Sequence, residues 1–321
     1  MTTRPNSVGG ATIVGWGTAL PTTVVTNADY EARLDTTDAW ITERTGIRER
    51  RHGSTTAALA IEAGRAALEM AGLTGADIDF VLLATTSPDY QIPSTASQVQ
   101  DELSIAGGAC DINAACSGFV YGLVQAHGLI AMGLRRVLLV GAETLSRLTD
   151  QDDRNTAILF GDGAGAVVIE ATDDDQLMAF DLGSDGSARP LLDAPIGGYI
   201  QMNGKEVFRR AVTVMVDSAR SSMTDAGVTA DQLALVVPHQ ANIRIIEAAC
   251  SRLDVGADRV ATVLHETGNT SSASIPLALI RALETDRVAA GDLVLLVGFG
   301  AGMSWASAVL RWTGRLPEVG S

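Results

Sequence analysis

Apolar and polar positions follow two alternating rhythms along this chain. Short runs rich in leucine and β-branched residues, Phe80–Ala84, Val137–Gly141, Leu233–Val237 and Leu293–Gly298, have the length and content of buried strands. Between them lie longer alanine-rich stretches with apolar residues at helical spacing: Thr95–Leu103, Ser117–Gly133, Asn242–Leu253 and Ser271–Leu283. Ala11–Leu20 reads as a first strand, since Gly15 and Gly17 break it as a signal core. The alternation predicts an α/β fold.

The pattern is written twice. Val-Leu-Leu-Val-Gly at 137–141 recurs at 294–298, an offset of 157, and the strand at Val81 matches Leu235 at an offset of 154. Between these anchors Cys116 matches Ser271 at an offset of 155, each just ahead of an apolar helical stretch. Residues 1–175 and 176–321 are therefore read as two duplicated halves. The glycine-rich segments Gly161–Gly165 and Gly298–Gly302 lack both the Gly-x-Gly-x-x-Gly spacing before a helix and a Gly-Lys-Ser/Thr, so neither reads as a phosphate loop. Both precede strand-like runs, Ala166–Glu170 and Ser304–Trp312, and Gly300–Gly302 is instead a place where backbone N–H groups can face a ligand.

Composition narrows the class. In 321 residues, 46% apolar and 19% charged content suits a globular chain with a large core. The net charge of −15, without a long basic run, argues against nucleic acid as a partner. No window approaches a membrane-spanning length of uninterrupted apolar residues. Three cysteines, Cys110, Cys116 and Cys250, are too few for a disulfide framework and suit a reducing compartment, the cytoplasm. Cys110 and Cys250 have no metal-ligand spacing with any histidine, so no metal is expected.

Three residues could carry chemistry. Cys116 stands where a short strand turns into a helix, and the positive end of a helix dipole favours the thiolate. A small residue at a packed turn accounts for the same position without chemistry. His239 directly follows the run Leu235–Pro238, at the carboxyl end of a strand where α/β proteins place their sites, although a lone turn histidine is also an ordinary cap. Asn269, in Gly268–Ser271, is on its own just a turn and helix start. If the halves are duplicates, Cys116 and Asn269 face a shared pseudo-twofold centre. A Cys-His-Asn set can hydrolyse, with histidine as base, or condense, with histidine and asparagine as hydrogen-bond donors. The three residues do not choose between these.

A resemblance does. The segments Trp40–Arg50, Asp111–Leu123, Phe160–Gly165, Val237–Asn242, Gly268–Ser271 and Gly298–Gly302, in this order between about Ala11 and Trp312, resemble the β-ketoacyl-acyl-carrier-protein synthase III family, condensing enzymes of the thiolase-like superfamily. The resemblance implies a thiolase-like duplicated five-layer α-β-α-β-α fold and a homodimer. It implies decarboxylative Claisen condensation of an acyl-CoA primer with malonyl-acyl-carrier protein, with no cofactor beyond acyl-CoA as substrate. By position, Cys116 is implied as the acyl-accepting nucleophile, His239 and Asn269 as its partners, and the backbone N–H groups of Cys116 and Ala301 as the oxyanion hole. Trp40, Arg44 and Arg154 correspond to CoA contacts, and Phe299 to an acyl-pocket residue packed near the nucleophile. The acyl pocket is expected from Ser87–Pro93 and Leu191–Met202, with Ile92 at the position that crosses the dimer. Carrier proteins are acidic, as this chain is, so docking needs a local basic patch. The resemblance points to Arg209, Arg244 and Arg252, with Arg210 beside the first.

The alternative within the superfamily is an acyltransferase or ketosynthase of a secondary-metabolite pathway using another acyl or aryl thioester. A biosynthetic thiolase is disfavoured because Gly298–Gly302 lacks a second cysteine, and a two-histidine elongating synthase because Asn269 holds the third position. A cysteine hydrolase would share the triad but not the motifs, and retention of all three residues argues against a scaffold.

Overall fold

The computed structural model describes residues 9–314; residues 1–8 and 315–321, the outer ends of the two halves read from sequence, lie outside the described residues. Strands form at the apolar runs. In the first half β1 (Gly10–Ala19), β2 (Phe80–Ala84), β3 (Gly108–Ile112), β4 (Arg136–Thr144) and β5 (Asp162–Thr172) make a five-stranded sheet in the order β1-β5-β4-β2-β3. In the second half β6 (Leu177–Ser184), β7 (Leu233–Pro238), β8 (Leu293–Gly300) and β9 (Ser304–Arg311) make a four-stranded sheet in the order β6-β9-β8-β7. The senses match as well. β2 is parallel to β4 as β7 is to β8, while β4–β5–β1 and β8–β9–β6 run antiparallel. Where the first sheet has β3, the second has a single parallel bridge from Val236 to Val260.

Helices complete five layers. α1 (Thr56–Met70) and α2 (Thr95–Glu102) cover the outer face of the first sheet, and their buried residues cluster with Val81, Leu83, Leu138 and Val140. α3 (Gly118–Ala131) lies between the sheets with α6 (Ser274–Glu284), in one core with Leu82, Val137, Leu139, Val294 and Leu296. α4 (Gly204–Ala226) and α5 (Ile243–Arg252) cover the second sheet with Leu295 and Val297. The repeated pentapeptide is thus explained by period two: Val137, Leu139, Val294 and Leu296 face the shared centre, and the residues between them face the outer helices. A strand buried on both faces is apolar throughout, which is why these runs do not alternate in polarity.

The repeat corrects the sequence register by one residue. Ala115 (φ 48°) and Ser271 (φ 46°) each open a one-turn 3₁₀ helix, 115–117 and 271–273, immediately before α3 and α6. Matching these left-handed residues puts Cys116 opposite Ser272, not Ser271. Composition does not mark a positive φ on a residue other than glycine, so alignment by apolar runs slipped there.

The halves are joined at their centre by Glu143, fully buried at the end of β4. Its carboxylate accepts from Thr85 Oγ1 (3.2 Å), Thr86 N (3.0 Å), Thr86 Oγ1 (3.0 Å) and Ser87 Oγ (2.6 Å) on one side, and from Ser272 Oγ (2.9 Å) across the half boundary. Gly141 allows the approach, since a Cβ there would stand 2.4 Å from the Ser272 carbonyl oxygen. Replacing Glu143 by leucine strands several buried donors. We expect Glu143→Leu to cost about 3 kcal/mol or more, against a smaller loss for Glu143→Gln, which keeps an acceptor, as read from the two denaturant midpoints.

Candidate active site

Cys116 is placed by a turn whose geometry is written in its own sequence. After β3 ends, Asn113 Oδ1 accepts the Ala115 N–H (3.1 Å), an Asx turn that tolerates the left-handed Ala115 and sets the thiol ahead of α3. Ser304 then ties the turn to the second half: its Oγ donates to the Ala114 carbonyl (2.9 Å), and Ser117 Oγ donates to the Ser304 carbonyl (3.2 Å). Gly300 lies so close that a Cβ would stand 2.6 Å from Cys116 N, so the loop Gly300–Gly302 abuts the Cys116 backbone.

The counterpart turn carries Asn269. Its Oδ1 accepts the Ser271 N–H (2.9 Å), as Asn113 does for Ala115, which leaves Nδ2 for the cavity. Its backbone is stapled to 159–161 by Asn269 N to Leu159 O (2.9 Å) and Gly161 N to Asn269 O (3.0 Å). His239 leaves the end of β7 with its N–H on Val297 O (2.8 Å), its ring edge-on to Phe299 (5.6 Å between centroids, 68°) and its Nδ1 2.7 Å from Ser274 Oγ.

Two cavities meet at Cys116, and a third opens onto one of them. A narrow one of about 150 Å³ is lined by Cys116, His239, Asn269 and Phe299, so the structure brings the three candidate residues together. A wider one of about 480 Å³ lies on the other side of Cys116, bordered by Thr86, Asn113, Tyr121, Leu192, Ala301 and Gly302. The narrow cavity shares Met202, Phe208 and Asn242 with an open mouth of about 990 Å³ that carries Trp40, Arg44 and Arg244. Arg154 does not line that mouth but stacks over the Trp40 ring at 5.2 Å, with Arg44 over the same ring at 5.5 Å. The motif containing Trp40 ends in Arg50, fully buried, which donates to Asn27 Oδ1 (2.8 Å) and to the Ile158 carbonyl.

Some expected residues stand elsewhere. Phe299 lines the narrow cavity beside His239, not the wider one, because β8 carries it out on the face that packs with α4 and α5. Ile92 is 85% exposed and lines neither cavity of its own chain, which leaves it free for the dimer-crossing position expected of it. Arg209, with its side chain 70% exposed, pairs with Glu206 at 2.8 Å, and Arg252 is exposed in the last turn of α5; neither reaches the mouth. Lys205, the only lysine in the sequence, does line it, and so does Phe208, which lies under the Arg244 guanidinium at 5.8 Å. Sequence reasoning passed over both, since nothing in the helical pattern of α4 marks its first turns as a cavity wall.

Electrostatics reverse one expectation. The helix start was expected to favour the thiolate, but burial of Cys116 dominates and pushes its pKa up to about 12. A hydrogen bond with the Ser271 side chain opposes this, and the nearby Glu143 charge adds to it. Burial alone lowers the His239 pKa to about 3, so the imidazole is neutral at any ordinary pH. The arrangement stores a thiol beside uncharged hydrogen-bond donors. Among the described residues no three or more His, Cys, Asp or Glu side chains converge as a metal site, and no helix is long and apolar enough to cross a membrane.

Residues 110–186 match the family model for 3-oxoacyl-[acyl-carrier-protein] synthase III, and residues 223–312 match the model for its C-terminal part. Over 94% of this chain and 98% of the relative, the sequence is 48% identical to a β-ketoacyl-[acyl-carrier-protein] synthase III of Roseiflexus castenholzii. The crystal structure of a 3-oxoacyl-[acyl-carrier-protein] synthase III from Aquifex aeolicus superposes with a TM-score of 0.92 at 42% identity, covering 94% of this chain and 100% of that one. A priming β-ketosynthase from a polyketide biosynthetic pathway also reaches 0.92, at 35% identity over 98% of this chain and 100% of that one.

The raised thiol pKa has a direct readout. Because the reactive thiolate is scarce below about pH 12, alkylation of Cys116 by iodoacetamide, followed by intact mass, should rise steadily with pH between about 7 and 10. A plateau near neutrality would contradict the burial argument.

Proposed function

The chain belongs to the 3-oxoacyl-[acyl-carrier-protein] synthase III family, and from that premise we infer how its residues share the reaction. The enzyme condenses an acyl-CoA primer with malonyl-acyl-carrier protein through an acyl-cysteine intermediate, giving β-ketoacyl-acyl-carrier protein, CoA and CO₂. In the roles we propose, the Cys116 sulfur attacks the primer's thioester carbon, its proton leaving with the CoA thiol, while the N–H groups of Cys116 and Ala301 hold the oxyanion. Malonyl-carrier protein then docks at the mouth and its malonyl thioester enters the narrow cavity. Loss of CO₂ leaves its electron pair in an enolate whose oxygen is held by His239 Nε2–H and Asn269 Nδ2–H. The carbanion attacks the acyl-Cys116 carbonyl, a carbon–carbon bond forms, and the released thiolate takes up a proton. Uncharged donors suit this work, because they strengthen toward the developing enolate without holding a counter-charge in the resting site.

The observation that carries this reading is the position of Cys116 at the junction of two cavities, the narrow one shared with His239 and Asn269 and the wide one free of both. One fits the malonyl thioester and the other the primer. Trp40, between Arg44 and Arg154, supports an adenine site for CoA, and Arg244 with Lys205 supports carrier docking at the mouth. We assign Arg209 and Arg252 only to the rim of that surface. Ile92 contributes to the acyl pocket across a homodimer interface, and the enzyme acts in the cytoplasm. The halves 1–175 and 176–321 divide the work, the first giving the nucleophile and the second both donors.

A second reading, priming of a secondary-metabolite pathway with a larger acyl or aryl thioester, is favoured by the wide cavity. Its 480 Å³ lies in the range of pockets that take drug-sized ligands and exceeds what an acetyl group fills.

Intact mass after exposure to acetyl-, isobutyryl-, longer-chain and aryl-CoA, then a chase with malonyl-carrier protein, tests both readings. We expect an adduct that is absent in Cys116→Ala and discharged by the chase; the thioester giving it names the primer, and an adduct that ignores malonyl-carrier protein would overturn the condensing role. Asn269→Ala should slow malonyl decarboxylation by at least about 10²-fold. Arg244→Glu should raise KM for malonyl-carrier protein while sparing acyl-CoA loading, and equal damage to both steps would contradict docking.

A further inference from the structure

We propose that Ser274 is a positioning residue for the condensation: its hydroxyl donates to His239 Nδ1 and so holds the ring in the tautomer whose proton is on Nε2. The inference deepens the synthase III reading and rests on it for its catalytic consequence, though not for the tautomer itself.

Hydrogen-bond accounting carries the argument. Ser274 is fully buried at the first position of α6. Its Oγ accepts the Gln240 N–H at 3.3 Å and, among the described residues, has one other polar partner, His239 Nδ1 at 2.7 Å. A hydroxyl has a single proton to place. If Nδ1 were protonated, Oγ would accept twice and the serine proton would be buried without an acceptor, an arrangement folded proteins rarely keep. The serine proton therefore goes to Nδ1, and the ring proton to Nε2. Burial holds the imidazole neutral, so both nitrogens are not protonated together.

The surroundings fix this arrangement. The Gln240 backbone is held because its side chain is fully engaged: Nε2 donates to Pro238 O (2.6 Å) and Ala261 O (3.2 Å), and Oε1 accepts from Val263 N (3.0 Å). Phe299 stands edge-on to the ring, and His239 lines the narrow cavity with Nε2 unpaired among the described residues. Nε2–H then offers a donor to the cavity and no lone pair. His239 in this tautomer presents no lone pair to the cavity and cannot take a proton from Cys116, which separates the site from hydrolases whose histidine faces the nucleophile with a basic nitrogen. One segment, 269–274, thus supplies the Asn269 amide and orients the imidazole beside it.

The test begins with unmodified protein. Histidine-selective ¹⁵N labelling, with His239→Ala to assign its signals among four histidines, reports which ring nitrogen is protonated. A bare Nδ1 and protonated Nε2 near neutral pH is the expected result; a protonated Nδ1 overturns the lock without any Ser274 variant. In Ser274→Ala the ring proton should be shared between the nitrogens. The kcat for malonyl-carrier-protein decarboxylation should fall roughly 3- to 10-fold, the scale of one net hydrogen bond, with KM and acyl-CoA loading within about twofold. Ser274→Thr, which keeps the hydroxyl, should restore the tautomer and most of the rate. Equal slowing of loading and decarboxylation would mark Ser274 as merely structural. Since the nitrogen signals need no turnover, a bare Nδ1 in a protein that never decarboxylates malonyl-carrier protein would support the lock and sink only the synthase reading.

Discussion

A buried carboxylate shared by two pseudo-equivalent halves organises the centre of this molecule. Glu143 takes hydrogen bonds from the Thr85–Ser87 loop of the first half and from Ser272 of the second. Ser272 is the counterpart of Cys116 in the repeat, so the two turns have the same backbone and opposite tasks. One keeps its side chain as a structural hydroxyl on Glu143, and the other leaves a sulfur facing two cavities. The same carboxylate raises the thiol's pKa. Joining the halves therefore has an electrostatic cost at Cys116, which rests as the thiol and must give up its proton to react.

Burial shapes the rest of the site in the same direction. His239 is kept neutral and Cys116 is kept a thiol by desolvation, the largest cause in both cases. What remains is a set of preorganised dipoles: an amide fixed by its own Asx turn, an imidazole backed by a serine, and a glycine loop against the Cys116 N–H. Such a set suits charge that appears only during reaction.

The charge at the mouth runs against the global field. The net charge of −15 repels acidic partners at long range, while Arg44, Lys205 and Arg244 face the mouth that leads to the narrow cavity. Elsewhere arginines are engaged at home, Arg209 with Glu206 and Arg210 with Asp185, which takes them out of a common patch.

Sequence alone determined the class of fold and the identity of the three central side chains. The apolar runs had to become strands and helices, because leucine- and valine-rich segments of those lengths have nowhere else to put their surface, and the repeated pentapeptide marked equivalent strands. Cys116, His239 and Asn269 were visible because each stands at an element boundary, where sequence carries turn and cap signals. Tertiary structure decided the rest. The one-residue register between halves depends on a positive φ at Ala115 and Ser271, which residue type does not announce. The pKa of Cys116 depends on how many groups surround it in space, a quantity absent from linear order, and there burial outweighed the helix start. The partners Ser274 and Glu143, and the place of Phe299 beside His239, arise from contacts between elements far apart in the chain. Those contacts are set by packing, and packing is read only when the chain is folded.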